Sequence, residues 1–219
     1  MSEPSDLRQK AIDVVNQYIE PGIGAEGSAQ RYSETGTKYD EYMVAYEYSG
    51  PRRAAETVAD LAKGNFDVKI LDIGAGTGLV GVELVKLGYK NIDAVDAAEG
   101  MLNVAKERNI YGKIVCQFIG NENLPFEDRT YDFIVSSGAM QENHIPREAF
   151  RDLIRVVKPG GYIVSVFRAI AANAQWYKEG LEVYFAQLEK EGLWKLHNRE
   201  IFPRFVSDKD GLTLVYQVL

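Results

Sequence analysis

From residue 66 onward, short apolar runs alternate with stretches that are apolar at every third or fourth position. The runs at 68–73, 91–95, 114–119, 133–136 and 162–167 predict strands, because a strand covered on both faces shows no polar alternation. The amphipathic stretches 79–87, 98–107 and 146–157 predict helices between them. Such alternation implies an α/β fold, a parallel sheet with helices on both faces. Right-handed crossovers make it a doubly wound, Rossmann-like sheet. The tail departs from this rhythm. A helix is expected over 172–191, then strand-like runs 194–205 and 212–219 joined by a turn at Ser207-Asp208-Lys209-Asp210-Gly211. The last strand of this hairpin should run antiparallel to its neighbours, giving a seven-stranded, mostly parallel sheet.

Before residue 66 the pattern is helical. Residues 6–20 predict a helix capped by Ser5, with Leu7, Ala11, Val14, Val15 and Tyr18 on one face and Pro21-Gly22 as its stop. The segment 23–33, rich in Gly, Ala and Ser, predicts a loop. Tyr39, Tyr42, Tyr46 and Tyr48 then recur at helical spacing, and Pro51 opens a further helix that closes at Lys63-Gly64. These patterns divide the chain into a helical extension or lid over residues 1–64 and a core over residues 65–219.

With 219 residues, 46% of them apolar, the chain can bury one substantial core. Its net charge of −7 and scattered basic residues count against nucleic acid as a partner. The lone Cys116, within an apolar run, is expected to be a buried structural thiol. The polar, acidic start shows no leader peptide, and no apolar run is long enough to cross a bilayer, so a cytoplasmic protein without a membrane partner is expected.

The chemistry is concentrated where the first strand ends, in Asp72-Ile73-Gly74-Ala75-Gly76-Thr77-Gly78. Glycines there leave the main chain bare to a ligand, and the following helix points free N–H groups at it. Asp96 follows Gly76 by 20 residues, at the tip of the second strand, where a carboxylate can bind both hydroxyls of a ribose. A nucleoside-containing cofactor is therefore expected. Gly76-Thr77-Gly78-Leu79-Val80-Gly81 also fits the pattern of NAD enzymes, but Asp72 would crowd a pyrophosphate and no second nucleotide-binding half follows. An acid there suits a ligand bearing an ammonium group.

The motif Asp72–Gly78 resembles the first motif of class I S-adenosylmethionine-dependent methyltransferases. Asp96-Ala97-Ala98-Glu99-Gly100-Met101-Leu102 resembles their second-strand acid and the residues after it. Asn123-Leu124-Pro125-Phe126, Tyr131-Asp132-Phe133-Ile134-Val135 and Arg155-Val156-Val157-Lys158-Pro159-Gly160-Gly161 are similar to later segments, in the right order. The segment Gln141-Glu142-Asn143-His144-Ile145-Pro146, with the tyrosine-rich leader, looks most like the Williams–Beuren-region methyltransferase-like proteins. The resemblance implies S-adenosylmethionine as cofactor. Asp72 would orient its amino group, Gly74, Ala75 and Gly76 its carboxylate and ribose, and Asp96 with Ala97 the ribose diol. Met101 would lie along the adenine. Where relatives carry an acid for the adenine amine, this chain has Gly120-Asn121-Glu122, so Asn121 and Glu122 become the candidates there. Ser137 and Tyr39 complete the expected cofactor contacts.

Methyl transfer from a sulfonium is an in-line displacement that needs alignment and a dry pocket rather than a covalent nucleophile. An oxygen or nitrogen acceptor must still lose a proton. His144 and Glu142, just beyond the fourth strand, are the candidate bases, whereas His197 in the tail reads as structural. Tyr32, Tyr39, Tyr42 and Tyr46 could form the lid, and Trp176, Tyr177 and Tyr184 the far wall of an acceptor pocket. The expected function is methyl transfer to a small-molecule acceptor. The alternatives are a cofactor-binding sensor or subunit without activity, and an NAD-dependent oxidoreductase.

Overall fold

Strand β1, Ile70–Ile73, is buried at all four positions and is the third strand of a seven-stranded sheet. A computed structural model describes the backbone from Pro4 to Leu219 and side chains from Asp6 onward; the first helix, Pro4–Tyr18, already includes Ser5, which therefore lies within it rather than at the expected cap position. The remaining strands are β2 (Ile92–Asp96), β3 (Ile114–Cys116), β4 (Tyr131–Ser137), β5 (Val157–Arg168), β6 (Trp194–Val206) and β7 (Lys209–Val218). Their order is β3-β2-β1-β4-β5-β7-β6. The first five are parallel, and β7 pairs antiparallel with both β5 and β6, as the tail pattern predicts. The chain winds outward from β1 to β3, then returns to add β4 on the other side of β1. Ligands of such sheets bind at that reversal, beyond the carboxyl ends of the strands.

Side chains alternate between the two faces of each strand. Leu71, Ile73 and Ile134 pack with Phe150, Phe185 and Trp194 on one face. Those residues belong to α6 (Phe150–Val156), α7 (Leu181–Lys190) and β6. Ile70 and Val135 pack on the other face with Val58, Val80 and Leu84, from α3 (Gly50–Ala62) and α4 (Leu79–Lys86). Two helices precede α3: α1 (Pro4–Tyr18) and α2 (Gly24–Ala45), and α5 (Glu99–Glu107) links β2 to β3.

The structure departs from the sequence reading in four places. Residues 24–33, expected as a loop, belong to the 22-residue helix α2. Small residues of α2 serve close helix contact: a Cβ on Gly36 would lie 2.7 Å from the Gly100 carbonyl, and one on Gly100 would strike the backbone of Ser33. Second, the helix expected from residue 172 begins only at Leu181. Two 3-10 turns, Ala169–Asn173 and Gln175–Tyr177, come first, and the positive φ of Lys178 and Gly180 breaks the path. Third, residues 146–157 form a 3-10 turn and the short α6, with Val157 already in β5. Fourth, Cys116 is exposed rather than buried, because β3 is an edge strand and pairs only with β2.

Candidate functional site

The glycine loop turns sharply beneath the sheet edge. Gly74 has φ +63°, and a Cβ there would lie 2.8 Å from the Ala139 methyl. Gly76, at φ +57°, faces the Met101 methyl, so any side chain would fill the space beside it. The Gly76 N–H donates to Asp96 Oδ2 and the Ala98 N–H to Oδ1, each at 2.8 Å. These bonds aim the carboxylate and occupy one lone pair on each oxygen, leaving a second on each for a diol. Burial pushes the Asp96 carboxyl above its ordinary value, opposed by the main-chain donors.

Asp96 lies on the wall of a cavity of about 500 Å³. Gly74, Gly76, Ala97, Met101, Asn121 and Ser137 line it as well, so residues from the ends of β1, β2 and β4 converge. Ala97, Met101, Phe118 and Ile119 form a largely apolar slot beside Asp96. The combination of a bare glycine turn, a slot and an aimed carboxylate fits the nucleoside of S-adenosylmethionine.

Other predicted residues fall elsewhere. Asp72 shares the face of β1 that carries Ile70, beneath α3 and α4, and is fully buried away from the cavity wall. Its Oδ2 accepts from the Tyr111 hydroxyl at 2.6 Å, while Oδ1 is buried without a partner. Desolvation pushes its carboxyl up to about 7, partly opposed by Tyr111. The same tyrosine occupies the space beside Gly81, where a Cβ would lie 2.5 Å from its hydroxyl. The third glycine of the NAD-like pattern thus makes room for a side chain of this protein. Ala75 is buried and donates to the Val95 carbonyl, and Glu122 lies off the wall, accepting from Gln117 through its main-chain oxygen.

Tyr32, Tyr39 and Tyr46 of the leader face the cavity, whereas Tyr42 packs with Ala11 and Met43. Tyr18 stacks on Tyr32 with ring centroids 3.8 Å apart, and Tyr48 shares a 2.6 Å hydrogen bond with Ser137. Trp176 and Tyr177 form part of the opposite wall; Tyr184 belongs to the core instead. Asp40 of α2 ties this layer to the glycine loop. It accepts from the Thr77 hydroxyl at 2.6 Å and pairs with Arg108, whose Nε donates to the Thr77 carbonyl.

His144 lies half-buried on the cavity wall. Its Nδ1 lies 2.7 Å from the Glu142 carbonyl, which can only accept, so Nδ1 carries the proton. Nε2 therefore accepts from the Tyr32 hydroxyl at 2.9 Å. Burial lowers the imidazole below its ordinary value and raises the Tyr32 phenol, so both are neutral near pH 7. The Glu142 side chain is not on the wall; the residue serves through its carbonyl. His197 is exposed and lies edge-on to Tyr162, outside the cavity. The pattern of the sequence gave no warning of Tyr18, Tyr48 or Arg168 on the wall.

A cofactor cleft at the turning point of a seven-stranded sheet with an antiparallel tail defines a class, and sequence relatives agree with it. The chain belongs to the class I S-adenosylmethionine-dependent methyltransferases. Residues 70–161 match the family described as a methyltransferase domain. The chain is 33% identical over 189 residues to human methyltransferase-like protein 27, covering 84% of this chain and 76% of that one. It is 34% identical over 137 residues to demethylmenaquinone methyltransferase of Corynebacterium efficiens, covering 61% of this chain and 56% of that protein. Among solved structures, a TehB-like methyltransferase from Corynebacterium glutamicum shares the fold. Its TM-score is 0.60 at 22% identity, over 86% of this chain and 98% of that one.

Proposed function

We propose that this methyltransferase acts on a small molecule, enclosed between the sheet edge and the leader helices. The observation that carries this reading is the cavity of about 500 Å³, walled by tyrosines from the N-terminal extension as well as by the cofactor loop. Pockets of this size hold small ligands. A relative named for methylating demethylmenaquinone supports the same acceptor class. In this reading residues 1–64 are a lid on the core of residues 65–219, fastened by the Asp40–Thr77–Arg108 contacts. The lone, exposed Cys116 suits a reducing cytoplasm.

S-adenosylmethionine supplies a methyl group activated by a sulfonium. Asp96 would hold the ribose hydroxyls with its two free lone pairs, and Ala97, Met101 and Asn121 would border the adenine. Gly74 and Gly76 would expose main chain to its amino-acid tail, with Tyr39 and Ser137 closing that end. Asp72 acts from behind the loop, where its carboxyl fixes Tyr111 against the glycine turn.

The tyrosine wall excludes water and fixes the acceptor, so alignment supplies much of the rate. Tyr32 Oη takes the proton released by the acceptor as its own proton passes to His144 Nε2. The Glu142 carbonyl holds the imidazole in the tautomer that leaves Nε2 free to receive it. Labelled methyl transfer from S-adenosylmethionine into a deproteinised pool of small metabolites tests the proposal. Label confined to protein or nucleic acid would refute it.

A further inference from the structure

Arg168, the last residue of β5, lines the cavity with a guanidinium that nothing holds. Its Nε is buried and has no hydrogen-bond partner. No carboxylate among the described residues forms a salt bridge with it. The other wall cations differ: Arg147 pairs with Glu148, donates to the Tyr177 carbonyl and lies over the Tyr184 ring, while Lys178 is exposed to solvent. Arg168 is half-buried and always charged, and its enclosed Nε–H, cut off from solvent without an acceptor, is costly to leave unpaired. Such a group is retained where a ligand completes it.

We propose that Arg168 is a specificity-determining residue that binds the carboxylate of the methyl acceptor, and hence that the acceptor is a small acid with an apolar or aromatic body. The inference rests on the small-molecule reading above. Two features separate Arg168 from the cofactor. In the order β2-β1-β4-β5, three strand spacings lie between the strand ending in Asp96 and the one ending in Arg168, or about 14 Å. The cofactor's tail meets the glycine loop at β1, nearer to Asp96. The body of the acceptor would lie between Tyr46, Tyr48, Phe205 and Trp176, which line the same cavity. A carboxylate suits the site because Nε and one Nη form a planar pair of donors that matches its two oxygens.

Calorimetry on the full chain saturated with S-adenosylhomocysteine tests this. The probes are 4-hydroxybenzoate and hexanoate, each beside its neutral amide. At least one acid should bind about tenfold or more tighter than its amide. Arg168→Met should abolish that preference while S-adenosylhomocysteine binds as in the wild type, and Arg168→Lys should keep part of it. A thermal melt of each variant establishes folding. Equal binding of acids and amides, or binding of none of the four, would overturn the assignment. Weakened S-adenosylhomocysteine binding in Arg168→Met would also overturn it, by giving the guanidinium to the cofactor's own carboxylate. A wild-type chain that fails to bind S-adenosylhomocysteine would instead sink the reading beneath it.

Discussion

The Tyr32 hydroxyl lies 2.9 Å from His144 Nε2, so one hydrogen bond joins the leader helix α2 to the loop after β4. In the lid reading proposed above, closure of the cavity and readiness of its candidate base are a single event. A lid that opened would separate the imidazole from its proton donor and wet the pocket together.

Tyr32→Phe and His144→Ala should each lower kcat by about 10²–10⁴ when the acceptor needs deprotonation, with little change in S-adenosylhomocysteine affinity. Burial holds the His144 pKa below its ordinary 6.5, so the imidazole stays neutral into mildly acidic solution. The acid limb of the wild-type kcat profile should thus have its midpoint below 6.5. Steady-state kinetics across pH 5–9 check both points; an unchanged profile in His144→Ala would remove the proton role.

Asp96→Ala should weaken S-adenosylhomocysteine binding by ~1–3 kcal/mol, through loss of charge-assisted hydrogen bonds to the ribose. The Gly76 and Ala98 N–H groups would also lose their acceptor, so loop order should fall. Calorimetry reads the first effect and amide exchange the second.

Much of this arrangement is legible in the sequence because strand ends carry it. The glycines after the first strand and the acid at the second strand tip stand out in the sequence, and Gly74, Gly76 and Asp96 line one cavity. What the sequence hid depends on distant packing. The segment with Gly27, Ser28, Ser33 and Gly36 has the composition of a loop, and only its contact with Gly100 of α5 explains it as a helix. Asp72 sits one residue from Ile73 yet on the opposite face of β1, so its position in the motif does not place it on the wall. Arg168 looks like an ordinary polar end to an apolar strand until its missing partner is seen.

Gly36→Ala tests that reading of α2. Its methyl would press on the Gly100 carbonyl, which cannot retreat without moving α5. Destabilisation of about 1–3 kcal/mol is expected, with faster proteolysis confined to the leader. A variant as stable and as protected as the wild type would contradict the close packing.

Asp72 gives the protein a pH signature. Its folded pKa of about 7 exceeds the ordinary 3.8, so the folded state holds the proton more tightly than the unfolded state. The resulting stabilisation is full below about 3.8 and fades as pH rises to about 7. Relative to Asp72→Asn, the wild type should therefore lose stability across that window, by on the order of a few kcal/mol. Denaturant melts of both proteins from pH 4 to 8 measure the difference; parallel curves would refute it.

A crystal structure of the full chain with S-adenosylhomocysteine tests the central claim most directly. The account predicts the ribose hydroxyls on Asp96, the adenine beside Met101, and the sulfur facing the space bounded by Tyr32, His144 and Arg168. The molecule bound outside this cavity, or its ribose turned away from Asp96, would contradict it.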